Sequence, residues 1–387
     1  MNNNKNFQSV NVIIVSISHF VHDIFSSFLA PLLPLLIEKL SINYSLASFL
    51  TVIQRLPSLL NPFIGILSDR IRLRYLIIIS PAITTVVMSL LGLASNYTVL
   101  AILLFVMGIS SSLFHVPAPV MIKKISGDRI GKGMSFYMLG GELARTAGPM
   151  IIVGAVSLWG LEGTYRLMPF GILASLILYY KLKKINISDE ISKKNQAFNS
   201  KKVLKKYLPL FIILSGFLFF RAFMRSALTV FLPTYFKDVQ GQNYVYGGLV
   251  FAAYQLAGVI GAYFSGPISD KIGRKKTLLI ISCVSPVLMV SFCFFKSFTI
   301  PILMLLGIFT IAQTPILLAI VNNINTKWPS FINSIYMTIN FLISAFGALI
   351  VGVSGDYFGL KNTFYFTAAV SIISIPFAIK LFKQKYN

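Results

Sequence analysis

The segment Gly266–Lys276 reads Gly-Pro-Ile-Ser-Asp-Lys-Ile-Gly-Arg-Lys-Lys. It has an earlier counterpart in Gly65–Arg74, Gly-Ile-Leu-Ser-Asp-Arg-Ile-Arg-Leu-Arg. In both, an apolar run ends in Gly-x-x-Ser-Asp and passes into a short basic turn. The two glycines stand 201 positions apart in a chain of 387, so each half carries one copy. Such a period restricts the chain to folds made of two related halves.

The solvent of those halves follows from composition. Hydrophobic residues make up 56% of the chain and charged residues 12%, with a mean hydropathy of +0.78. A soluble domain carries about 25% charged residues, which excludes an ordinary water-soluble protein. The net charge of +23 would suit a nucleic-acid binder, but the basic residues lie in short turns between long apolar runs. That is the pattern of the inner face of a bilayer protein, so the expected partner is lipid and not nucleic acid. Cys283 and Cys293 share one apolar run; ten helical residues, about 15 Å, keep them beyond disulfide reach. Residues 1–9 are polar, and the apolar run after them is too long for a removable signal.

A spanning helix needs about 20 mainly apolar residues. Twelve stretches qualify, near 10–38, 45–68, 74–94, 97–122, 133–158, 164–182, 207–236, 244–268, 276–296, 299–323, 330–353 and 362–381. The polar, Lys-rich segment 183–206 reads as a linker between an N-terminal six-helix bundle, 1–182, and a C-terminal one, 207–387. With both termini cytoplasmic, 25 of the 34 Lys and Arg residues fall on that side and 5 on the other. The positive-inside bias thus predicts an N-in, C-in, all-α membrane protein of twelve transmembrane helices in two pseudo-symmetric bundles. A half-chain repeat in such a protein points to a two-bundle transporter.

The repeated block resembles the signature of the major facilitator superfamily in the turn between its second and third helices. Gly266, Asp270, Lys271, Gly273 and Arg274 match closely; the first copy keeps Gly65, Asp69 and Arg70 but has Arg72 where glycine is usual. The resemblance implies two bundles that rock about a central site. Asp69 and Asp270 then stand at cytoplasmic helix ends. A carboxylate there can accept hydrogen bonds from a facing helix N-terminus, a conformational latch for the outward-facing state.

Ionisable residues deep in spans are costly and usually functional. Here they are His19, His22, Asp23, Arg55, His115, Glu142, Arg145, Arg221 and Arg225. His19 and Asp23 lie one helical turn apart and share a face; opposing effects of burial and a neighbouring imidazole suit such a pair to proton coupling. Glu142 can contribute to coupling or pair with Arg145 three residues on. Gly140, Gly141 and Gly148 allow another helix to come close. Arg221 and Arg225, one turn apart among Phe219, Phe220 and Phe223, have no acid on their own helix. Four arginines against two carboxylates leave an excess of positive charge, which suits an anionic or zwitterionic substrate. Gln54, Gln255, Gln313 and Asn340 add polar lining.

Two further stretches are similar to the fosmidomycin-resistance-type efflux carriers. They are Ser18-His19-Phe20-Val21-His22-Asp23 with Leu29–Leu36, and Gly108–His115, followed by Gly133–Phe136, Gly140-Gly141 and Gly148-Pro149. His19, Asp23 and His115 fall on matching positions; Pro117 and the Glu142/Arg145 pair depart from the pattern. The resemblance implies proton-driven export across a bacterial inner membrane. Import of an organic or siderophore-like anion uses the same parts. Pro117 and Pro119 place His115 at a helix kink. No nucleophile, phosphate loop or Walker A sequence accompanies these residues, so neither an enzyme nor ATP-driven transport is expected. No cofactor or metal is expected beyond the proton as coupling ion, and the chain reads as a monomer.

Overall fold

The computed structural model describes residues 7–61, 63–64, 73–127, 129–183, 200–322, 324 and 329–381. Every regular element among them is helical. In chain order the α-helices are α1 Ser9–Ser26, α2 Leu29–Leu40, α3 Tyr44–Arg55, α4 Leu73–Ser89, α5 Tyr97–His115, α6 Pro117–Ile125, α7 Ile130–Trp159 and α8 Met168–Leu182. They continue with α9 Ser200–Val230, α10 Leu232–Asp238, α11 Tyr244–Ile272, α12 Arg274–Phe294, α13 Thr299–Ile311, α14 Gln313–Asn322, α15 Pro329–Ile372 and α16 Ser374–Lys380.

Helix starts and breaks follow from particular residues. α3, α5 and α11 all begin Asn-Tyr, and each asparagine side chain accepts a backbone N–H three residues on: Leu46 to Asn43, Val99 to Asn96 and Tyr246 to Asn243. These caps satisfy donors that a helix leaves unpaired. Asn43 and Asn243 stand 200 positions apart, which extends the half-chain repeat to the helix preceding each basic turn. Breaks fall at prolines, which lack the N–H that a continuing helix needs. Thus α1 yields to α2 before Pro31 and Pro34, and α5 ends at His115 before Pro117, the kink expected there.

Eight described helices are long and apolar enough to cross a bilayer, in Ser9–Leu40, Tyr75–Leu93, Tyr97–Pro119, Leu204–Val230, Tyr244–Ile272, Arg274–Phe294, Thr299–Val321 and Ser334–Lys380. The difference from twelve stretches has local causes. α3 is a short helix that passes at Arg55 into a 3-10 turn containing Pro57. α7 spans 30 residues but carries Lys132, Glu142, Arg145 and several glycines. α8 has only 15 residues. The last two stretches run together in α15, which turns at Gly359 (φ 74°), a conformation that glycine adopts without strain. Leu158, Phe294 and Tyr357 are more than two-thirds exposed. Apolar surface on this scale belongs in lipid and not in water. The chain is a multi-pass membrane protein.

Two compact units result: residues 1–36 with 53–196, and residues 37–52 with 197–387. In the first, Val12, Val15, Ile77, Phe114, Met121 and Leu182 pack into one core. In the second, Leu210, Leu214, Phe217, Leu278, Ile316 and Ala378 do so. The start of α3 is tied into the second unit by charge. Asp356 of α15 accepts the backbone N–H groups of Tyr44 and Ser45 at 2.7 and 2.9 Å and also the Ser45 hydroxyl. The Tyr44 hydroxyl donates to Asp238 at 2.7 Å, and Lys237 pairs with Glu38. A carboxylate on a helix N-terminus is favoured by both the free N–H groups and the helix dipole.

Of the sequence-predicted latch, Gly65, Asp69 and Arg70 lie outside the described residues. Gly273 (φ 93°) makes the turn between α11 and α12. Gly266 has open space where a Cβ would stand. Asp270 and Lys271 are exposed; Asp270 lies 3.7 Å from Arg274, which also donates to the Ala319 carbonyl at 3.2 Å.

Candidate functional site

α1 carries His19, His22 and Asp23 within two turns. His19 Nε2 lies 3.2 Å from Asp23 Oδ2, as their one-turn spacing requires. His22 folds back on its neighbour, with Nδ1 3.0 Å from Asp23 Oδ1. The break after α5 presents His115, whose Nε2 is 3.2 Å from that same oxygen. From α7, Arg145 brings Nη2 within 4.0 Å of Asp23 Oδ2 while Nη1 donates to Glu142 Oε1 at 2.6 Å. One carboxylate, 3% exposed, is therefore ringed by three imidazoles and a guanidinium.

Small residues make this convergence possible. A Cβ at Gly140 would meet the Ser16 carbonyl, one at Gly148 the Ile24 carbonyl, and one at Gly141 the His19 ring. The helix expected to approach these glycines is thus α1. The His19 ring has little room to move, because it stacks on Tyr137 at 4.0 Å and 15° and on Phe114 at 5.7 Å. His22 stacks on Phe114 at 4.5 Å, and His115 meets both histidines edge-on at 5.2 Å. Gly141→Ala is accordingly expected to destabilise the protein by about 1–3 kcal/mol, the usual cost of overpacking. Thermal unfolding checks this against Gly154→Ala, where the added Cβ meets nothing within 4 Å and no loss of stability is expected.

Proton positions in the ring are fixed from its rim. The Ser110 hydroxyl donates to the Ser80 carbonyl at 2.9 Å, so it accepts from Thr84 at 2.8 Å. Thr84 has then used its one proton and accepts from His22 Nε2 at 3.1 Å. His22 therefore carries hydrogen on Nε2, and its Nδ1 faces Asp23. His19 Nδ1 lies 2.7 Å from the Tyr137 backbone carbonyl, which only accepts. His19 therefore carries hydrogen on Nδ1, and its Nε2 faces Asp23; this buried nitrogen makes no well-formed hydrogen bond. In neutral histidines both facing nitrogens would be bare lone pairs, turned on the lone pairs of a carboxylate. Buried, such contacts repel unless a cation lies between. The geometry calls for protons held on Asp23 or on its imidazoles.

The second unit holds the other buried charge. Arg221 of α9 is 1% exposed; its Nε donates to Gln313 Oε1 at 2.9 Å and its Nη2 to Ser285 Oγ at 3.2 Å. Its Nη1 is buried without a hydrogen-bond partner. The Tyr254 side chain lies within electrostatic reach of both Arg221 and Arg225, and its hydroxyl is bonded to Thr310 at 2.9 Å. Every carboxylate of this unit is engaged at a helix end, as described for Glu38, Asp238, Asp270 and Asp356. Gln255 is buried beside Tyr254, and Asn340 is half-buried on α15. In the first unit, Gln54 donates to Met107 Sδ at 3.1 Å, and Arg55 is half-buried at the end of α3.

Sequence reading grouped His19, Asp23, His115 and Glu142 for proton coupling and gave Arg145 to the substrate with Arg55, Arg221 and Arg225; the structure sets Arg145 and His22 beside Asp23 as well. Sequence reading missed Thr84, Ser110 and the Tyr137 carbonyl, which orient the histidines, and Ser285, which holds Arg221. A lone hydroxyl inside an apolar run carries no spacing signal, and a backbone carbonyl carries none at all.

Comparison with known proteins gives this arrangement a context. A model of the Major Facilitator Superfamily matches residues 15–347 and 248–386. The fosmidomycin resistance protein of Escherichia coli (strain K12) is 25% identical over 269 residues, which cover 67% of this chain and 65% of that protein. The chain thus spans just under two thirds of that relative's length. The multidrug resistance protein MdtG of Proteus mirabilis (strain HI4320) is 22% identical over 95% of this chain and 94% of its own length. Among solved structures, a bacterial homolog of the human lysosomal transporter Spinster, inward-facing and occupied, superposes with a TM-score of 0.82 at 14% identity, over 98% and 97% of the two chains. The fold and the family match agree: the chain belongs to the major facilitator superfamily, and it is a transporter and not an enzyme.

Proposed function

We propose that this protein is a proton-coupled secondary transporter that exports a small anionic or zwitterionic organic compound by antiport. The observation that carries the reading is the Asp23 carboxylate, closed off from water and faced by two histidine nitrogens whose other nitrogens are already donors. A site with that hydrogen-bond polarity holds exchangeable protons, and releasing them leaves repelling lone pairs. Coupling follows when proton-loaded and proton-free states differ in their affinity for substrate. Arg221, buried and hydrogen-bonded to the neutral Gln313 and Ser285 while the carboxylates of its unit are engaged at helix ends, supports a substrate that brings negative charge. Export is supported by the resistance proteins among the relatives. In this reading the chain crosses a bacterial inner membrane twelve times with both termini cytoplasmic, works as a monomer, and alternates its access by rocking of its two halves.

The test uses purified protein in liposomes that contain a pH-sensitive dye, with fosmidomycin as the probe anion. An imposed pH gradient is expected to collapse faster when fosmidomycin is supplied on the side opposite to the one from which protons leave. Collapse only when substrate and protons start on the same side marks symport and import. A panel of small anions that binds the protein but never moves protons overturns the proposal.

A further inference from the structure

We propose that His19, Asp23 and His115 form a binding site for one divalent transition-metal ion of the zinc class, in the seat that the protons otherwise occupy. This goes beyond the transport reading, since the ion would bind whether or not protons drive the cycle.

Three observations carry it. First, one ring nitrogen each of His19 and His115 and one Asp23 oxygen all lie within 4.8 Å of one another. The Nε2 atoms of His19 and His115 each stand 3.2 Å from an Asp23 oxygen. A zinc-class ion held at about 2.0–2.1 Å by tetrahedral ligands sets those ligands about 3.3 Å apart. The two histidine–carboxylate separations therefore match that spacing, and the remaining separation, up to 4.8 Å, closes as the ion binds. Second, His19 Nε2 is buried and bare, and its Nδ1–H is held by the Tyr137 carbonyl at 2.7 Å. Metal-ligating histidines characteristically give their second N–H to a backbone carbonyl or carboxylate, which fixes the tautomer and aims the lone pair. Third, the local charge suits a cation. Arg145 is neutralised by Glu142 at 2.6 Å, so with neutral histidines the cluster retains the single negative charge of Asp23.

Two histidines and a carboxylate make three ligands, and a fourth position remains for water or substrate, the pattern of an open rather than a purely structural site. His115 is the most exposed of the three, its side chain 23% accessible, and marks the side of entry. His22 Nδ1 also faces Asp23, 3.0 Å from Oδ1, but the set of ligand atoms lying mutually within 4.8 Å comprises His19, Asp23 and His115 and does not include it. The His-x-x-x-Asp spacing on α1 gives no metal signature in the sequence, since the third ligand comes from another helix.

The experiment is a titration of Co2+ into the purified, tag-free protein, read by the visible ligand-field absorption of low-coordinate cobalt. Saturation is expected at one Co2+ per chain, with the band displaced by Zn2+. His115→Gln and Asp23→Asn are expected to weaken binding by about tenfold or more, each with a melting temperature close to that of the unaltered protein. Asp356→Asn, in the other unit, leaves the titration unchanged. Failure of Co2+ to produce the band, or a stoichiometric band that survives in the His19→Gln/His115→Gln double variant, overturns the proposal. Because the readout needs no transport, it fails or succeeds independently of proton coupling.

Discussion

Asp23→Asn is expected to yield a folded carrier that exchanges substrate across the membrane but no longer responds to a pH gradient. Asparagine keeps the shape of aspartic acid and replaces its acidic proton with an amide donor. The two histidine nitrogens facing position 23, Nε2 of His19 at 3.2 Å and Nδ1 of His22 at 3.0 Å, both lack a hydrogen when neutral. The amide can donate where a protonated carboxyl would have donated, so the variant imitates the proton-loaded state and cannot leave it. Pairing with Arg145 is weakened, but its main partner Glu142 remains at 2.6 Å. Folding cost is therefore modest. Gradient-driven transport is expected to fall about 100-fold or more, to background, because positioned proton transfer is commonly worth factors of 10²–10⁴. Counterflow exchange at equal pH stays within about threefold of the unaltered protein, since a change below about 0.7 kcal/mol in one binding step produces no more than that. Driven transport that survives at the unaltered rate removes Asp23 from the coupling step. Loss of both activities together with a lowered melting temperature assigns it a structural role.

How much of this was readable from sequence depends on the kind of interaction. The half-chain repeat, the apolar runs and the break at Pro117 are local or periodic signals; the all-helical fold and the break at Pro117 are present, while eight described helices, against twelve apolar stretches, are long and apolar enough to span. The Asp23 cluster was partly legible, because ionisable groups are rare in apolar runs and their cost marks them. Their mutual geometry was not. His115 reaches Asp23 only because α5 ends at His115, two residues before Pro117, and Glu142 and Arg145 arrive only because glycines of α7 admit α1. The hydroxyl relay through Thr84 and Ser110 had no sequence signal. Asp356 was passed over for the opposite reason: an acid at the end of an apolar run looks like ordinary helix punctuation. Its partners, the N–H groups of Tyr44 and Ser45, lie more than 300 positions away.

Arg221 is expected to separate binding from stability in opposite directions. The guanidinium is 1% exposed, and its hydrogen bonds reach only neutral groups, Gln313 Oε1 at 2.9 Å and Ser285 Oγ at 3.2 Å. The Ser285 hydroxyl proton is itself engaged with the Ile281 carbonyl at 2.6 Å, which leaves only lone pairs for the arginine. The third nitrogen, Nη1, is buried without a hydrogen-bond partner, and all four carboxylates of the unit are tied up at helix ends. A cation in such surroundings is a standing cost to folding, and removing it together with its charge is often neutral or stabilising. Arg221→Gln is therefore expected to leave the melting temperature unchanged or raised. In the substrate-bound state, however, the same cation meets an anion. Charge-assisted hydrogen bonds are worth about 1.5–3 kcal/mol, so affinity for an anionic substrate should fall about 10- to 150-fold. Arg221→Lys keeps the charge but loses the planar fork, and its loss should be intermediate. Binding measured by calorimetry on the purified variants, alongside thermal unfolding, decides the matter. A variant that melts earlier and binds as before shows that Arg221 only braces α9 against α12 and Gln313. Weaker binding with undiminished stability means that its missing partner is the cargo.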